Sequence, residues 1–145
     1  MTGPRVLIIQ TAWLGDVILT TPLFVAIKNQ WPDAYVAVVV TPASAPLLEN
    51  LSEVNEILIH DKKKGGVKDI LRICRTVAAG RFDITISPHC SARSALITLA
   101  SGARTRVGYR ESAAPWVYNR RAARGVGAHE TEPVSYTHLR AHETP

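Results

Sequence analysis

Four apolar runs rich in β-branched residues recur along the chain and restrict its fold more than any other feature. They are RVLIIQ (Arg5 to Gln10), YVAVVV (Tyr35 to Val40), EILIH (Glu56 to His60) and FDITIS (Phe82 to Ser87). The first two are almost continuously apolar, which is typical of strands covered on both faces, whereas FDITIS alternates. The runs therefore predict strands in a largely buried sheet.

The stretches between these runs have helical spacing. In VKDILRICRTVAAG, apolar side chains recur on one stripe while charged ones face away, and Gly80 is a stop signal. The predicted stripe consists of Val67, Ile70, Leu71, Cys74, Val77 and Ala78, and the predicted outward residues are Lys68, Asp69, Arg72 and Arg75.

Two further helices and one more strand complete the alternation. A helix is predicted over Asp16 to Gln30, with Pro22 either kinking it or moving its start to about Thr21. Another is predicted over Ser91 to Gly102, followed by a strand over Thr105 to Tyr109. Alternating strands and helices predict an α/β fold, with a Rossmann-like parallel sheet and helices on both faces.

Composition fits a soluble globular domain with an anionic partner. The 145 residues are 46% hydrophobic and 20% charged, and the formal net charge is +5. We expect no signal peptide, no membrane span and no disulfide framework, since Cys74 and Cys90 are far apart in the sequence, and we therefore expect a cytoplasmic location.

The candidate site is expected at the carboxyl edge of the sheet, where ligands of open α/β sheets bind. The loop Thr11 to Asp16, the loop after EILIH and the segment Pro88 to Ser91 would all open there. The first turn reads QTAWLGD and lacks the GxGxxG fingerprint, so a bound dinucleotide is not predicted.

Three separated motifs resemble one family. GDVILTTP, AIKNQWPDAYVAVVV and FDITISPHCSARSALITLASGARTRVGYR, between Arg5 and His129, look like the N-terminal half of lipopolysaccharide heptosyltransferases of glycosyltransferase family nine. The resemblance implies a two-domain GT-B enzyme that moves heptose from ADP-heptose to the lipopolysaccharide inner core, with inversion and without an obligatory metal or cofactor. It also implies that the N-terminal domain holds the acceptor.

Domain boundaries follow from the same resemblance. Residues 1–132 are expected to form the acceptor-side domain, and the donor half is expected to be missing, which would leave the chain inactive alone. The last segment, PVSYTHLRAHETP (133–145), has neither helical nor strand periodicity and looks like a translated sequencing-adapter tract. We interpret it as a non-native, disordered tail.

Asp16 is the candidate catalytic base. An inverting transfer needs a group that takes the proton from the attacking hydroxyl, and Gly15 beside the carboxylate leaves room for an acceptor. The alternative is an N-cap or first-turn acid favoured by the helix dipole. Thr20 and Thr21 are candidate acceptor-binding residues, although threonine in a helix more often bonds back to its own backbone.

Basic residues supply the remaining candidates. Lys62, Lys63 and Lys64 would attract an acidic acceptor, or they form an ordinary solvated loop. Arg93 and Ser94, at a helix start, could bind an anion, or Ser91 simply caps the helix and Arg93 is a surface residue. His60 and His89 are interpreted as satisfied or solvent-facing histidines.

A second reading remains open, in which the chain is a non-catalytic basic α/β module that binds an anionic ligand or partner. Nucleic acid is not expected, because the basic residues are not interleaved with aromatic ones. Association with the inner face of the plasma membrane is a further expectation.

Overall fold

The computed structural model describes residues 3–89 and 91–122 as a three-layer α/β domain. The predicted tail, 133–145, and the end of the predicted 1–132 domain lie outside these residues. The described elements are β1 (Arg5–Ile9), α1 (Leu14–Gln30), β2 (Tyr35–Val40), α2 (Ala45–Leu48), β3 (Glu56–Ile59), α3 (Gly66–Ala79), β4 (Ile84–Ile86), α4 (Ala92–Ser101), β5 (Thr105–Tyr109), a 3-10 turn (Pro115–Val117) and β6 (Arg120–Ala122).

All six strands of the sheet are parallel, in the order β3-β2-β1-β4-β5-β6. The central strand β1 pairs with β2 through Arg5↔Tyr35 to Ile9↔Val39 and with β4 through Val6↔Ile84 to Ile8↔Ile86. The chain winds outward through β2 and β3 and then returns to the other side of β1. The predicted parallel sheet is therefore confirmed, and the reversal point lies between β1 and β4.

Helices cover both faces of this sheet, as predicted. Val6 and Ile8 of β1 point into a core formed with α1 and α2, whereas Leu7 and Ile9 point into a second core formed with α3 and α4. All four side chains are fully buried. The continuous apolar run of β1 is therefore explained by burial on both sides rather than by alternation.

Helix α1 runs through Pro22 without a break, so it neither starts near Thr21 nor needs a second segment. Proline lacks the amide that would bond to the carbonyl of Ile18. The hydroxyl of Thr21 donates to that carbonyl instead, at 2.7 Å. The side chain next to the proline thus replaces the missing backbone hydrogen bond.

The predicted apolar stripe of α3 is partly wrong. Ile73, which was not assigned to it, is fully buried together with Val77, whereas Val67 and Leu71 are 73% and 51% exposed. Ile70 and Cys74 pack against the core from partly buried positions. The buried face is therefore the i, i+3, i+4, i+7 set that starts at Ile70, because α3 is rotated relative to the predicted stripe.

Two glycines have roles that the sequence did not separate. Gly80 follows α3 with an ordinary right-handed φ of −73°, and the left-handed conformation falls on Arg81, with φ 51°. A Cβ at Gly80 would lie 2.5 Å from the ring of Phe82, so glycine is needed there for space. Gly102, by contrast, ends α4 in the left-handed region, with φ 67°.

The elements α2 and β6 were not predicted from the sequence. β6 extends the sheet beyond β5, and the preceding 3-10 turn buries Val117 and Tyr118 while Trp116 remains 70% exposed. The Tyr118 ring packs directly on Gly108 of β5, where an added Cβ would lie 2.5 Å from the ring. No helix among the described residues is long and apolar enough to cross a membrane.

We expect Gly108→Ala to destabilise the domain by about 1–3 kcal/mol, because the new methyl group must displace a buried aromatic ring. Urea unfolding followed by circular dichroism would measure the change. Gly15→Ala is the matched control. A Cβ there meets nothing within 4 Å, so stability should be unchanged or slightly raised. Equal stability of Gly108→Ala and the wild type would contradict the packing described here.

Candidate functional site

The carboxyl ends of the parallel strands bring three loops to one edge of the sheet. Residues 10–13 follow β1, residues 60–65 follow β3, and residues 87–89 and 91 follow β4. Successive strands are added on one side of β1 up to β3 and on its other side from β4 onward. The starts of α1 and α4 therefore flank the crevice where ligands of such folds bind. Every sequence-predicted site residue belongs to these loops or to the first two turns of α1 and the first turn of α4.

Asp16 is half-buried in the first turn of α1. Its Oδ2 accepts a hydrogen bond from the backbone N–H of Trp13 at 3.3 Å, which is the helix-capping interaction considered as the alternative. Among the described residues, its Oδ1 has no hydrogen-bond partner. The carboxylate is therefore anchored through one oxygen and is not sealed inside the protein, and its catalytic role stays a prediction.

Gly15 is exposed beside this carboxylate, and nothing within 4 Å would meet a side chain there. Glycine inside a helix costs about 0.5–1 kcal/mol relative to alanine. No described contact and no positive φ requires the glycine. Open space beside Asp16 is what an incoming substrate would need.

Thr20 and Thr21 both use their hydroxyls within the protein. Thr20 is buried, donates to the Asp16 carbonyl at 2.7 Å and accepts from the amide of Gln10 at 3.1 Å. Thr21 supports the carbonyl left free by Pro22, as described above. The structure thus shows the back-bonding alternative for both, and acceptor contact by them stays a prediction.

The loop after β1 is braced from two sides. The Gln10 side chain bonds to Thr20 and accepts from the Ala12 amide at 3.3 Å. The ammonium group of Lys62 donates to the Thr11 carbonyl at 2.6 Å and so joins the loop after β3 to the loop after β1. The loop that leads into α1 is therefore held partly by local bonds of Gln10 and partly by a contact 51 residues away in the sequence.

The three predicted lysines do not behave alike. Lys62 is partly buried and engaged with Thr11, whereas Lys63 and Lys64 are exposed. The carboxylate of Asp61 accepts from the backbone amides of Lys63 and Lys64 at 3.2 and 3.0 Å, which forms a tight turn. This turn leaves the two exposed ammonium groups at the edge, where they can attract an anion.

Ser94 and Arg93 occupy the first turn of α4 but differ in exposure. Ser91 caps the helix by accepting from the Ser94 amide at 3.1 Å, and the fully buried Ser94 hydroxyl bonds with Ser91 and with the His89 ring. Arg93 is partly buried and extends to the end of β3. The Ser94 hydroxyl is therefore used within the protein, and acceptor contact by Arg93 and Ser94 stays a prediction.

Sequence reasoning missed the cluster around His60. This histidine is fully buried, and its Nδ1 lies 2.5 Å from Oδ2 of Asp69 while Nη1 of Arg93 lies 3.3 Å from its Nε2. Asp69 was predicted to face away from the protein, which is wrong, since its side chain is only 14% exposed. Three residues from three chain segments thus meet here, and only the position of His60 at a strand end hinted at it.

The pKa of Asp69 is lowered from its ordinary value of 3.8. Burial alone would raise this pKa, but hydrogen bonds from Arg72 and His60, the guanidinium charge and the Asp61 amide together outweigh it. Arg72 donates to Oδ1 through Nε and Nη2 at 3.0 and 2.8 Å. Its Nη2 also donates to the Ile59 carbonyl at 2.6 Å.

A shallow pocket of about 470 Å³ lies along the outer strand β3, next to this cluster. Its lining consists of Pro42, Ile57, Leu58, Ile59, Asp61, Asp69 and Arg72. None of the sequence-predicted site residues lines it. Within 3–89 and 91–122, no three His, Cys, Asp or Glu side chains are grouped so that they could hold a metal ion.

The lowered pKa of Asp69 predicts a pH dependence of stability. A carboxyl group whose folded pKa is below its unfolded pKa stabilises the fold above the unfolded value, and this stabilisation is lost as pH falls through the folded pKa. We expect Asp69→Asn to reduce the loss of unfolding free energy that acidification below about pH 4 causes in the wild type. Urea unfolding between pH 3 and pH 7 measures it, and parallel pH curves would contradict it.

The chain is similar in sequence to curated heptosyltransferases. It is 29% identical over 77 residues to lipopolysaccharide heptosyltransferase 3 of Escherichia coli, which is 50% of this chain and 22% of that protein. It is 27% identical over 108 residues to lipopolysaccharide heptosyltransferase 2 of Salmonella typhimurium, which is 73% of this chain and 31% of that protein. No protein-family model matches the chain.

Solved structures of the same kind share the fold. The Escherichia coli heptosyltransferase WaaC with ADP matches with a TM-score of 0.74 and 22% identity, over 93% of this chain and 45% of that one. The Escherichia coli ADP-heptose lipopolysaccharide heptosyltransferase II matches with a TM-score of 0.72 and 23% identity, over 83% and 35%. The predicted resemblance is therefore confirmed, and the chain spans less than half the length of these proteins.

Proposed function

We propose that this chain is the acceptor-side domain of a family nine glycosyltransferase that moves heptose from ADP-heptose to the lipopolysaccharide inner core. The main support is the combination of heptosyltransferase similarity with a partly exposed carboxylate at the reversal point of the sheet. Asp16 sits where ligands of such sheets bind, and one of its oxygens has no partner among the described residues.

In the proposed reaction, Asp16 acts as the general base. Its free Oδ1 takes the proton of an acceptor hydroxyl as that oxygen attacks the anomeric carbon, and the bond to ADP breaks on the opposite side with inversion. The Trp13 amide fixes the other oxygen and so restricts the orientation of the carboxylate. Gly15 leaves the space in which the acceptor hydroxyl approaches.

The acceptor is expected to be held by the basic residues at the same edge. Lys63 and Lys64 are exposed, Lys62 braces the adjoining loop, and Arg93 comes from the opposite side of the crevice. Ser94 supports the first turn of α4. ADP-heptose itself would bind the part of the longer relatives that this chain does not cover.

The decisive assay uses two proteins. One is this chain, and the other joins it to the second half of a heptosyltransferase. We expect turnover of ADP-heptose only by the joined protein, because the nucleotide is expected to bind the part of the longer relatives that this chain does not cover. Asp16→Asn in the joined protein should lower kcat roughly 10²- to 10⁴-fold with little change in acceptor KM, since a base acts in the transition state.

Two results would decide against this assignment. Equal losses in kcat and in acceptor binding would assign Asp16 to helix capping instead. Acceptor binding by a joined protein with no turnover at all would favour the alternative, a non-catalytic basic module. Lys68→Gln is the control, because Lys68 is exposed on α3 and was not assigned to the site.

Association with the cytoplasmic surface of the plasma membrane is part of the same proposal. It is supported by the formal charge of +5 and by the exposed Lys63 and Lys64. We expect the chain to float with vesicles that contain anionic phospholipid at low salt. It should be released at about 0.5 M salt, because the Debye length there is below about 5 Å and the attraction between charges is screened. Absence of flotation at low salt would contradict it.

A further inference from the structure

The buried imidazole of His60 links two charged side chains from different helices. Nη1 of Arg93, in the first turn of α4, lies 3.3 Å from Nε2 of His60. Nδ1 of the same ring lies 2.5 Å from Oδ2 of Asp69, in the first turn of α3. Strands β2 and β1 separate β3, which precedes His60, from β4, which precedes Arg93, so the link spans the carboxyl edge of the sheet.

The donor and acceptor of each hydrogen bond that links Arg93, His60 and Asp69 follow from the chemistry of these side chains. A guanidinium group can only donate, so Nε2 of His60 must be the acceptor. A neutral imidazole then carries its proton on Nδ1 and donates it to the carboxylate of Asp69. That carboxylate is held in turn by Arg72 and by the Asp61 amide at 3.0 Å. The Arg93 head group is therefore held by the fully buried His60 ring, which Asp69 holds in turn.

This arrangement leaves the ligand-binding part of Arg93 available. In the part of the chain that the structure describes, its Nε and Nη2 donate to no protein group, and the ion pair at this cluster joins Arg72 to Asp69 and does not involve Arg93. Nε and Nη2 together form a fork that matches the two oxygens of a carboxylate. A positive charge without a counter-ion, fixed at the site edge, is suited to bind an acid.

We propose that Asp69 and His60 are positioning residues that hold Arg93 to bind a carboxylate of the acceptor. The inference rests on the proposed function, because it assigns the acceptor to this edge. His60 is not itself a catalytic residue, since it is fully buried and both ring nitrogens are engaged. Holding the guanidinium in advance reduces the conformational entropy that binding would otherwise cost.

The first test needs no substitution. In the ¹⁵N-labelled chain at pH 7.5, NMR of the histidine ring nitrogens should show His60 with its proton on Nδ1 and a bare Nε2. A ring protonated at Nε2, or a doubly protonated ring, would overturn the proposal, because Arg93 could not then donate to it. This measurement does not depend on which reaction the protein catalyses.

The second test measures binding to the intact chain, with glucuronate as the sugar-acid probe and glucose as its neutral counterpart. We expect the wild type to bind glucuronate more tightly than glucose, and Arg93→Gln to remove that preference. His60→Leu should weaken glucuronate binding roughly tenfold, as expected for a charge-assisted contact, whereas His60→Gln should stay within about threefold. The glutamine amide can still accept from Arg93 and donate to Asp69.

Arg75→Gln is the matched control, because Arg75 is an exposed arginine of α3 outside the cluster. Thermal melting of each variant separates loss of binding from loss of folding. If His60→Leu does not fold, the glucuronate affinities of His60→Gln and Arg93→Gln still test the proposal, because only the first variant keeps a support for Arg93. Equal losses in His60→Gln and Arg93→Gln, or no glucuronate preference in the wild type, would overturn the proposal. Failure of heptosyl transfer alone would leave a measured glucuronate preference intact.

Discussion

Burial of β1 on both faces is the constraint on which the rest of the structure depends. Its side chains from Val6 to Ile9 are completely inaccessible to solvent and belong alternately to the two cores. Such a strand must lie in the middle of the sheet, with helices above and below it. The other strands are added first on one side of β1 and then on the other. This change of side between β2 and β4 creates the crevice at the carboxyl end of β1.

Polar side chains connect the loops of the crevice to each other and to the neighbouring helices. Gln10 joins the loop after β1 to α1, Lys62 joins the loops after β1 and β3, and His60 joins the loop after β3 to α4. Each link bonds a backbone carbonyl or a buried polar side chain, as buried polar groups require. The same contacts that complete the hydrogen bonding of the fold therefore also fix the positions of Asp16 and Arg93.

Much of this architecture can be predicted from residue patterns, because apolar periodicity directly reflects burial. The strands from β1 to β5, three of the helices and the shared edge all follow from it. The short element β6 could not, since its sequence, RRA, has no apolar signal and is a strand only through pairing with β5. The turn α2 spans four residues and is too short for a periodicity.

The cluster around His60 could not be predicted from the sequence for a different reason. Its members are far apart in the sequence, and periodicity placed Asp69 on the outer face of α3. Helical spacing gives the side of a helix but not the contacts of its first turn, which here reach beyond the end of β3. Asp16 could be singled out because a Gly-Asp pair at a strand-to-helix turn is a local signal. The cluster around His60 is brought together only by tertiary folding, so no local signal in the sequence points to it.

The contact between Arg72 and the carbonyl of Ile59 has a consequence for solubility. β3 is the outermost strand on its side of the sheet, and it presents backbone groups that another chain could pair with. A cation already bonded to one of these carbonyls must be removed before a foreign strand can dock beside it. The Arg72 guanidinium thus disfavours fibril-like strand pairing at the exposed edge of β3.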